Sequence, residues 1–294
     1  MQNTVFFGNG LNRISKTSVS WEYLLNSLKG DKIFPNKDLP NTMVYERIFM
    51  EKLIGNESQK SNELLIKNGI ADAMKSQDSN ELFELLANMD FENYLTTNYD
   101  YAFEKAIKKV TDCDPEKLST EDIYSLRRKR AYGETKKAKY LWNIHGEIEH
   151  PKSIMLGLDH YCGSVSKIDS YVKGTYKYLA NTHLKVVPSM IEKLKKKEFC
   201  YTAWVDLFFS SNIHIIGFTL DYSETDIWWL LNKRARFATN GLVKNKIFFY
   251  ADALDEAKHQ LLTAFGVEVV IIPTENKNYK KMYETAINKM LPAK

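Results

Sequence analysis

Four polar segments of the sequence each follow a short apolar run, and their side chains could bind a ligand or move a proton. The first is Gly8-Asn9-Gly10-Leu11-Asn12-Arg13. A tight glycine turn after a strand lets backbone N–H groups approach a phosphate. The third glycine of the usual dinucleotide fingerprint is missing, so an ordinary strand-to-helix turn explains this segment equally well.

The second and third segments contribute an amide, a carboxylate and an imidazole. Asn98 and Asp100 follow the apolar run Tyr94–Thr97, and His145 follows Tyr140–Ile144. Histidine is the side chain best suited to proton transfer near neutral pH. Asn98 or Asp100 could instead cap the next helix, and a single histidine could be a structural hydrogen-bonding residue. Capping and ligand contact can coexist.

The fourth segment begins after the apolar run Ile213–Ile216. Its Gly217 and Thr219 could let the backbone pass close to a ribose or a phosphate. The other hydroxyl and carboxyl side chains of this segment could be helix caps. Asp252 repeats the arrangement after Lys246–Tyr250, where a plain helix start is the alternative.

The elements that must position these segments are predicted by compact apolar runs that alternate with longer amphipathic stretches. Runs buried on both faces are typical of parallel strands, and their alternation with helices indicates βαβ units. The fold class predicted is α/β, a Rossmann-like parallel sheet of about six strands with helical insertions. Because ligands bind at the carboxyl ends of such strands, all the polar segments are expected at one edge. The predicted strands are Thr4–Phe7, Tyr94–Thr97, Tyr140–Ile144, Ile213–Ile216, Lys246–Tyr250 and Glu268–Ile272.

Two helical insertions are predicted, at about residues 20–90 and 167–210, from apolar residues at helical spacing. The second insertion ends in a lysine-rich stretch and is expected to cap the sheet or to meet a partner. No Pro/Gly/Ser-rich linker divides the 294 residues, so a single domain over 1–294 is expected.

Charge and cysteine content narrow the class of protein. The net charge of +4 balances 41 basic against 37 acidic residues, which is too slight to indicate a nucleic-acid partner. Two basic clusters lack interleaved aromatic residues, which favours a solvated surface or a protein contact over nucleic acid. One contains Arg127, Arg128, Lys129, Arg130, Lys136, Lys137 and Lys139, and the other contains Lys193, Lys195, Lys196 and Lys197.

The cysteines Cys113, Cys162 and Cys200 are scattered and form no Cys-x-x-Cys pair. This spacing argues against a structural zinc site and against a disulfide framework, and it fits a reducing cytoplasm. No run of 18 apolar residues and no secretion signal is present, so export and membrane insertion are not expected.

Taken in order, the four segments resemble the sirtuin-like domain of bacterial anti-phage effectors, from Gly8 to about Asp252. The most specific part is Thr96-Thr-Asn-Tyr-Asp100 followed by His145-Gly146. The resemblance implies NAD bound across the sheet edge, with Asn98 and His145 matching the catalytic asparagine and histidine of that family. Asp100 would lie beside them, and no metal cofactor is implied.

The same resemblance implies the remaining contacts to NAD. Gly8, Gly10 and Asn12 would approach the diphosphate, and Gly217 and Thr219 would lie near the adenosine ribose. Asn9 stands where classical sirtuin deacylases have a small alanine and, with Asp252, completes the predicted cofactor-binding set. Sirtuin deacylases carry a zinc module with paired cysteines, whose absence from this sequence argues against histone-type deacylation.

The function expected from the resemblance is hydrolysis of NAD to nicotinamide and ADP-ribose in an abortive-infection system. Nicotinamide leaves as a neutral molecule while positive charge develops on the ribose, so orientation and electrostatics must promote cleavage. Asn98 is expected to hold the carboxamide or the attacking water, and a neutral His145 to accept a proton.

A freely active NAD hydrolase would kill its host, so a companion sensor is expected, whether Argonaute-like, helicase-like or nucleotide-sensing. A homo- or hetero-oligomer is expected, with nucleic acid engaged only indirectly. Two alternatives remain: NAD-dependent deacylation or ADP-ribosyl transfer, and a non-enzymatic nucleotide- or nucleic-acid-binding subunit.

Overall fold

The computed structural model describes residues 2–15, 17–29, 39–53, 59–118, 123–134 and 138–290. Eight strands of these residues form one sheet, and two form a separate hairpin. The strands are β1 (Asn3–Phe7), β2 (Asn93–Thr96), β3 (Glu116–Lys117), β4 (Lys129–Tyr132), β5 (Lys139–Asn143), β6 (Lys177–Ala180), β7 (His183–Val186), β8 (Asn212–Ile216), β9 (Ile247–Ala251) and β10 (Val267–Ile271).

The order of the strands in the large sheet is β10-β9-β8-β1-β2-β5-β4-β3. The first six of these strands run parallel, whereas β4 is antiparallel to β5 and β3 is antiparallel to β4. From β1 the chain proceeds through β2 to β5 on one side and later returns to β8 on the other side. The strand order therefore reverses next to β1, and ligands of such sheets bind outside the carboxyl ends at that point.

The α/β class and the six parallel strands are confirmed, and each predicted bound lies within one residue of the observed bound. The reason is visible in β1, where Val5, Phe6 and Phe7 are fully buried because helices cover both faces of the sheet. Phe6 packs in one apolar cluster with Trp142, while Val5 and Phe7 pack in the other with Phe83. Each such side chain contributes about 1.5–3 kcal/mol on burial.

The predicted strand number was too low, because β3 and β4 extend the sheet beyond β5. The β4 sequence, Lys-Arg-Ala-Tyr, was interpreted as part of a solvated basic cluster. Instead, Arg128 and Arg130 are buried. The Arg130 guanidinium lies 2.6 Å from Oε2 of Glu147 and 3.1 Å from Oε1 of Glu104. Lys136 and Lys137 of the same cluster lie outside the described residues.

Helices account for most of the rest of the described chain. They are α1 (Trp21–Lys29), α2 (Asn41–Leu53), α3 (Gln59–Met74), α4 (Glu81–Ala87), α5 (Ala102–Thr111), α6 (Leu158–Lys173), α7 (Met190–Lys196), α8 (Leu207–Ser210), α9 (Thr225–Thr239), α10 (Glu256–Ala264) and α11 (Tyr279–Lys289). Helices α1 to α4 occupy the first predicted insertion, and buried residues of α1, α2 and α3 form an apolar cluster of their own.

The second predicted insertion, 167–210, is only partly helical. The end of α6 is followed by the β6–β7 hairpin, and the lysine-rich stretch is helical only in the seven residues of α7. Lys193 of that stretch is buried and lies 2.8 Å from Oδ1 of Asp206, whereas Lys195, Lys196 and Lys197 are exposed. Among the described residues, no helix is long and apolar enough to cross a membrane.

Candidate active site

The loop after β1 packs closely against the loop after β8, and its glycines make this contact possible. The N–H of Gly8 donates to the carbonyl of Ile216 (3.3 Å), and the N–H of Gly10 donates to the carbonyl of Gly217 (2.7 Å). A β-carbon on Gly10 would lie only 2.6 Å from the Gly217 oxygen. The Gly8 and Gly10 N–H groups, expected to approach a diphosphate, therefore hold the two loops together.

Asn12 and Asp100 join the β1 loop to the β2 loop. The Asn12 amide nitrogen donates to Oδ1 of Asn9 (3.0 Å) and to Oδ2 of Asp100 (2.9 Å). The other Asp100 oxygen accepts from the N–H of Ala102, the first residue of α5 (2.9 Å), although the N-cap position itself is Tyr101, whose side chain makes no capping hydrogen bond. Gln77 also donates to Asp100 (3.1 Å), and burial raises the pKa of this carboxyl. Asn12 thus links the two loops and does not line either cavity described below.

A cavity of about 230 Å³, here called the first cavity, lies at the carboxyl ends of β1, β2, β5 and β8. Asn98 and His145 both line it. The side-chain amide of Asn98 makes no hydrogen bond to any described residue, and its backbone N–H donates to Oγ1 of Thr96 (3.0 Å). The remaining lining residues are Asn9, Gly10, Arg13, Trp21, Leu24, Asn41, Met74, Thr97, Tyr99, Asp100, Tyr161, Gly217, Phe218, Thr219 and Glu224.

His145 is buried between two carboxylates at the wall of the first cavity. Its Nε2 lies 3.1 Å from Oδ2 of Asp226, and its Nδ1 lies 3.6 Å from Oε2 of Glu224. The Tyr161 ring packs edge-on against the imidazole, with ring centroids 5.2 Å apart. Ser164 donates to the same Asp226 oxygen (2.9 Å), which fixes that carboxylate.

The charges around His145 favour its protonated form. Burial by itself lowers the pKa of His145, but Asp226 and then Glu224 outweigh burial, so the pKa is raised above its ordinary value. Burial also raises the pKa of Glu224, to about 7, although the nearby imidazole opposes this change. The environment of His145 therefore stabilises the imidazolium rather than the neutral imidazole that the sequence analysis expected.

A second cavity of about 290 Å³ shares Gly10, Gly217, Phe218 and Thr219 with the first. Asp252 lines it at the carboxyl end of β9. The alternative of a helix start at Asp252 was wrong, since Asp255 caps α10 and accepts from the N–H of Lys258 (2.9 Å). The Lys258 ammonium donates to the Thr219 carbonyl (2.8 Å).

The structure brings most of the predicted site residues to one place. It also places there residues that the sequence did not single out. Asn9, Gly10, Asn98, Asp100, His145, Gly217 and Thr219 line the first cavity, Asp252 lines the second, and Gly8 and Asn12 support the loops. Glu224, Tyr161 and Arg13 were not singled out as ligand-binding residues. Glu224 carried a usable signal, because it lies two residues before Asp226 in the fourth polar segment, but Tyr161 of α6 carried none.

One cluster of the described residues has the composition of a cation site. The donor atoms of His145, Glu224 and Asp226 lie within 4.8 Å of one another. The contact between Asp226 and His145 is a direct hydrogen bond, and Ser164 and Tyr161 donate to the carboxylates. These groups thus already contact one another and their neighbours, and independence from metal stays a prediction.

The fold and the site define an α/β protein with a cavity at the switch point of a parallel sheet. The chain belongs to the SIR2-like domain family, whose model matches residues 92–269. This match begins just before β2, so the Gly8–Arg13 loop lies outside it.

Two relatives are NAD(+) hydrolases named ThsA. The protein from Bacillus cereus (strain MSX-D12) is 27% identical over 169 residues, which cover 58% of this chain and 33% of the relative. The protein from Cytobacillus dafuensis is 27% identical over 157 residues, which cover 53% of this chain and 29% of the relative. The chain is therefore similar to about a third of the length of these relatives.

Proposed function

We propose that this protein hydrolyses NAD to nicotinamide and ADP-ribose. The observation that carries the proposal is that Asn98 and His145, which come from loops 47 residues apart in sequence, line the same cavity at the switch point of the sheet. Membership of the SIR2-like family and similarity to two NAD(+) hydrolases support it.

NAD would span both cavities. Ligand pockets ordinarily have volumes of roughly 300–1,000 Å³, and each cavity alone falls below this range. The nicotinamide ribose would occupy the first cavity, beside Asn98 and His145. The diphosphate would cross the shared wall at Gly10 and Gly217, near the exposed Arg13, and the adenosine would occupy the second cavity beside Asp252.

The side-chain amide of Asn98, which makes no hydrogen bond to the described residues, suits either of two tasks. A side-chain amide can donate to and accept from the nicotinamide carboxamide, or it can hold a water molecule against C1′ of the ribose. Holding the reacting atoms in place lowers the barrier without any proton transfer. The cluster of His145, Glu224 and Asp226 has a net negative charge when His145 is protonated and both carboxylates are ionised, and this charge would stabilise the positive ribose of the transition state.

The biological setting is also part of the proposal. An NAD hydrolase of this family would act in the cytoplasm as a gated effector of anti-phage defence, with a companion protein or assembly that releases its activity. Deacylation or ADP-ribosyl transfer to a protein would use the same two cavities. The nucleic-acid-binding alternative is weakened because Arg128, Arg130 and Lys193 of the basic clusters are buried beside carboxylates.

The test is release of nicotinamide and ADP-ribose from NAD by the purified protein, alone and with its natively co-purified partner. Asn98→Ala and His145→Ala should each lower the rate about 100-fold or more, while circular dichroism checks that both variants remain folded. Wild-type protein that neither binds nor cleaves NAD in either preparation would refute the proposal.

A further inference from the structure

The first cavity presents one carboxylate with a free oxygen, and that carboxylate belongs to Glu224. Oε2 of Glu224 accepts from the Tyr161 hydroxyl (3.0 Å) and faces Nδ1 of His145 at 3.6 Å. Oε1 makes no hydrogen bond to any described residue, and the side chain is 11% exposed. Both Asp100 oxygens, by contrast, accept hydrogen bonds from the protein. Glu224 therefore differs from the other carboxylate of this cavity in its capacity to accept a proton.

Hydrolysis of NAD needs such a proton acceptor. The oxygen of water forms a bond to C1′, the bond from C1′ to the nicotinamide nitrogen breaks, and its electron pair stays on that nitrogen. Nicotinamide leaves without taking a proton, so the attacking water must release one to the protein or the solvent. A positioned base accelerates this kind of step by roughly 10²–10⁴-fold.

His145 is poorly suited to be that base. Both of its ring nitrogens face carboxylates, Asp226 at Nε2 and Glu224 at Nδ1. An imidazolium in this setting carries a proton on each nitrogen and has no lone pair with which to accept another. Its remaining task is electrostatic, because it holds Glu224 in its ionised form and orients the carboxylate through the Nδ1 contact.

We infer that Glu224 is the general base of NAD hydrolysis and that Asp226 and Ser164 are positioning residues that act through His145. The inference rests on the proposed function, because it assigns a step of that same reaction. The proton passes from the attacking water to Glu224 and from there to solvent through the open side of the cavity. A Glu224 with a pKa of about 7 is matched to this role near neutral pH.

The pH dependence follows from the groups that surround Glu224. These are His145 after β5, Asp226 of α9, Tyr161 of α6, Asp221 of the preceding loop and Tyr99 of the β2 loop. Glu224 must be ionised to accept a proton, so kcat should rise with pH through about 7. His145 must keep its proton, so kcat should fall again at higher pH, above the ordinary pKa of histidine.

The decisive experiment compares water with azide as the nucleophile in wild type and in Glu224→Gln. Azide is an anion, so its attack on C1′ gives ADP-ribosyl azide and nicotinamide without releasing a proton. Glu224→Gln keeps the size of the side chain and an oxygen that accepts from Tyr161. Glu116→Gln, at an exposed position of β3, is the matched control.

We expect Glu224→Gln to lower kcat for hydrolysis about 100-fold or more, to leave KM within a few-fold, and to abolish the rise of kcat with pH. Azide should restore nicotinamide release in this variant, and Glu116→Gln should match wild type. Full hydrolysis by Glu224→Gln would overturn the inference and leave the proposed function intact. Wild-type protein inert towards NAD with either nucleophile, with or without its co-purified partner, would overturn both.

Discussion

Gly10→Ala tests whether the close contact between the β1 and β8 loops builds the junction of the two cavities. The new β-carbon would lie 2.6 Å from the Gly217 oxygen and 2.6 Å from the Tyr283 hydroxyl. Favourable carbon contacts lie at about 3.5–4.0 Å, so the loops must separate by roughly 1 Å. That shift would also stretch the hydrogen bond from the Gly10 N–H to Gly217, which is 2.7 Å long.

The expected loss of unfolding free energy in Gly10→Ala follows from these two effects. Overpacking a rigid site costs about 1–3 kcal/mol, and a weakened backbone hydrogen bond adds roughly 1 kcal/mol. Gly10 lines both cavities, so the displaced loops should also weaken NAD binding. A loss of about 1.4 kcal/mol in binding free energy lowers the affinity tenfold, and we expect a fall of about this size or more.

Gly69→Ala is the matched control for this substitution. Gly69 is exposed within α3, and a β-carbon there would meet nothing within 4 Å. Alanine is a better helix former than glycine, so the control should be more stable than wild type by about 0.5–1 kcal/mol. Urea unfolding measures both free energies, and calorimetric titration with NAD measures the affinity. Gly10→Ala as stable as Gly69→Ala, with unchanged NAD affinity, would refute the reasoning.

Four further predictions concern the site and its surroundings. Asp226→Asn should lower kcat about 100-fold or more while NAD binding stays within a few-fold, because His145 loses its charged partner. Steady-state kinetics give both values, and an unchanged kcat would contradict the positioning role of Asp226. Asp252→Asn should lower the preference for NAD over NADP by about tenfold, because a carboxylate beside the adenosine ribose repels the 2′-phosphate. Comparison of kcat/KM for the two nucleotides measures this preference, and an unaltered ratio would place the ribose elsewhere. Dialysis against EDTA should leave NAD cleavage unchanged, and activity lost and then restored by added Zn²⁺ or Mg²⁺ would reveal a metal requirement. Lys193→Met should destabilise the fold by about 3–5 kcal/mol, because it leaves the fully buried Asp206 without its cation. In urea unfolding, the double variant with Asp206→Asn should recover part of this loss, and a fully stable single variant would show that the pair contributes little.

The sequence by itself determined the class of fold and the edge of the sheet that carries the candidate site. Strand β8, for example, is a compact apolar run followed by a polar loop, and this pattern is local because a parallel strand between two helical layers is buried on both faces. The same local pattern placed Asn98 and His145 at strand ends, since each directly follows its run.

The tertiary structure decided which of these segments meet. The pairing of β1 with β8 brings Gly10 against Gly217, which are more than 200 residues apart, and no local periodicity encodes that contact. Strand β4 was missed because Arg130 is stabilised by Glu104 and Glu147 rather than by apolar burial. The partners of His145 depend in the same way on where α9 packs. Periodicity reports how a segment is buried, whereas strand order, ion pairs and the charge of a site depend on which segments the complete core brings together.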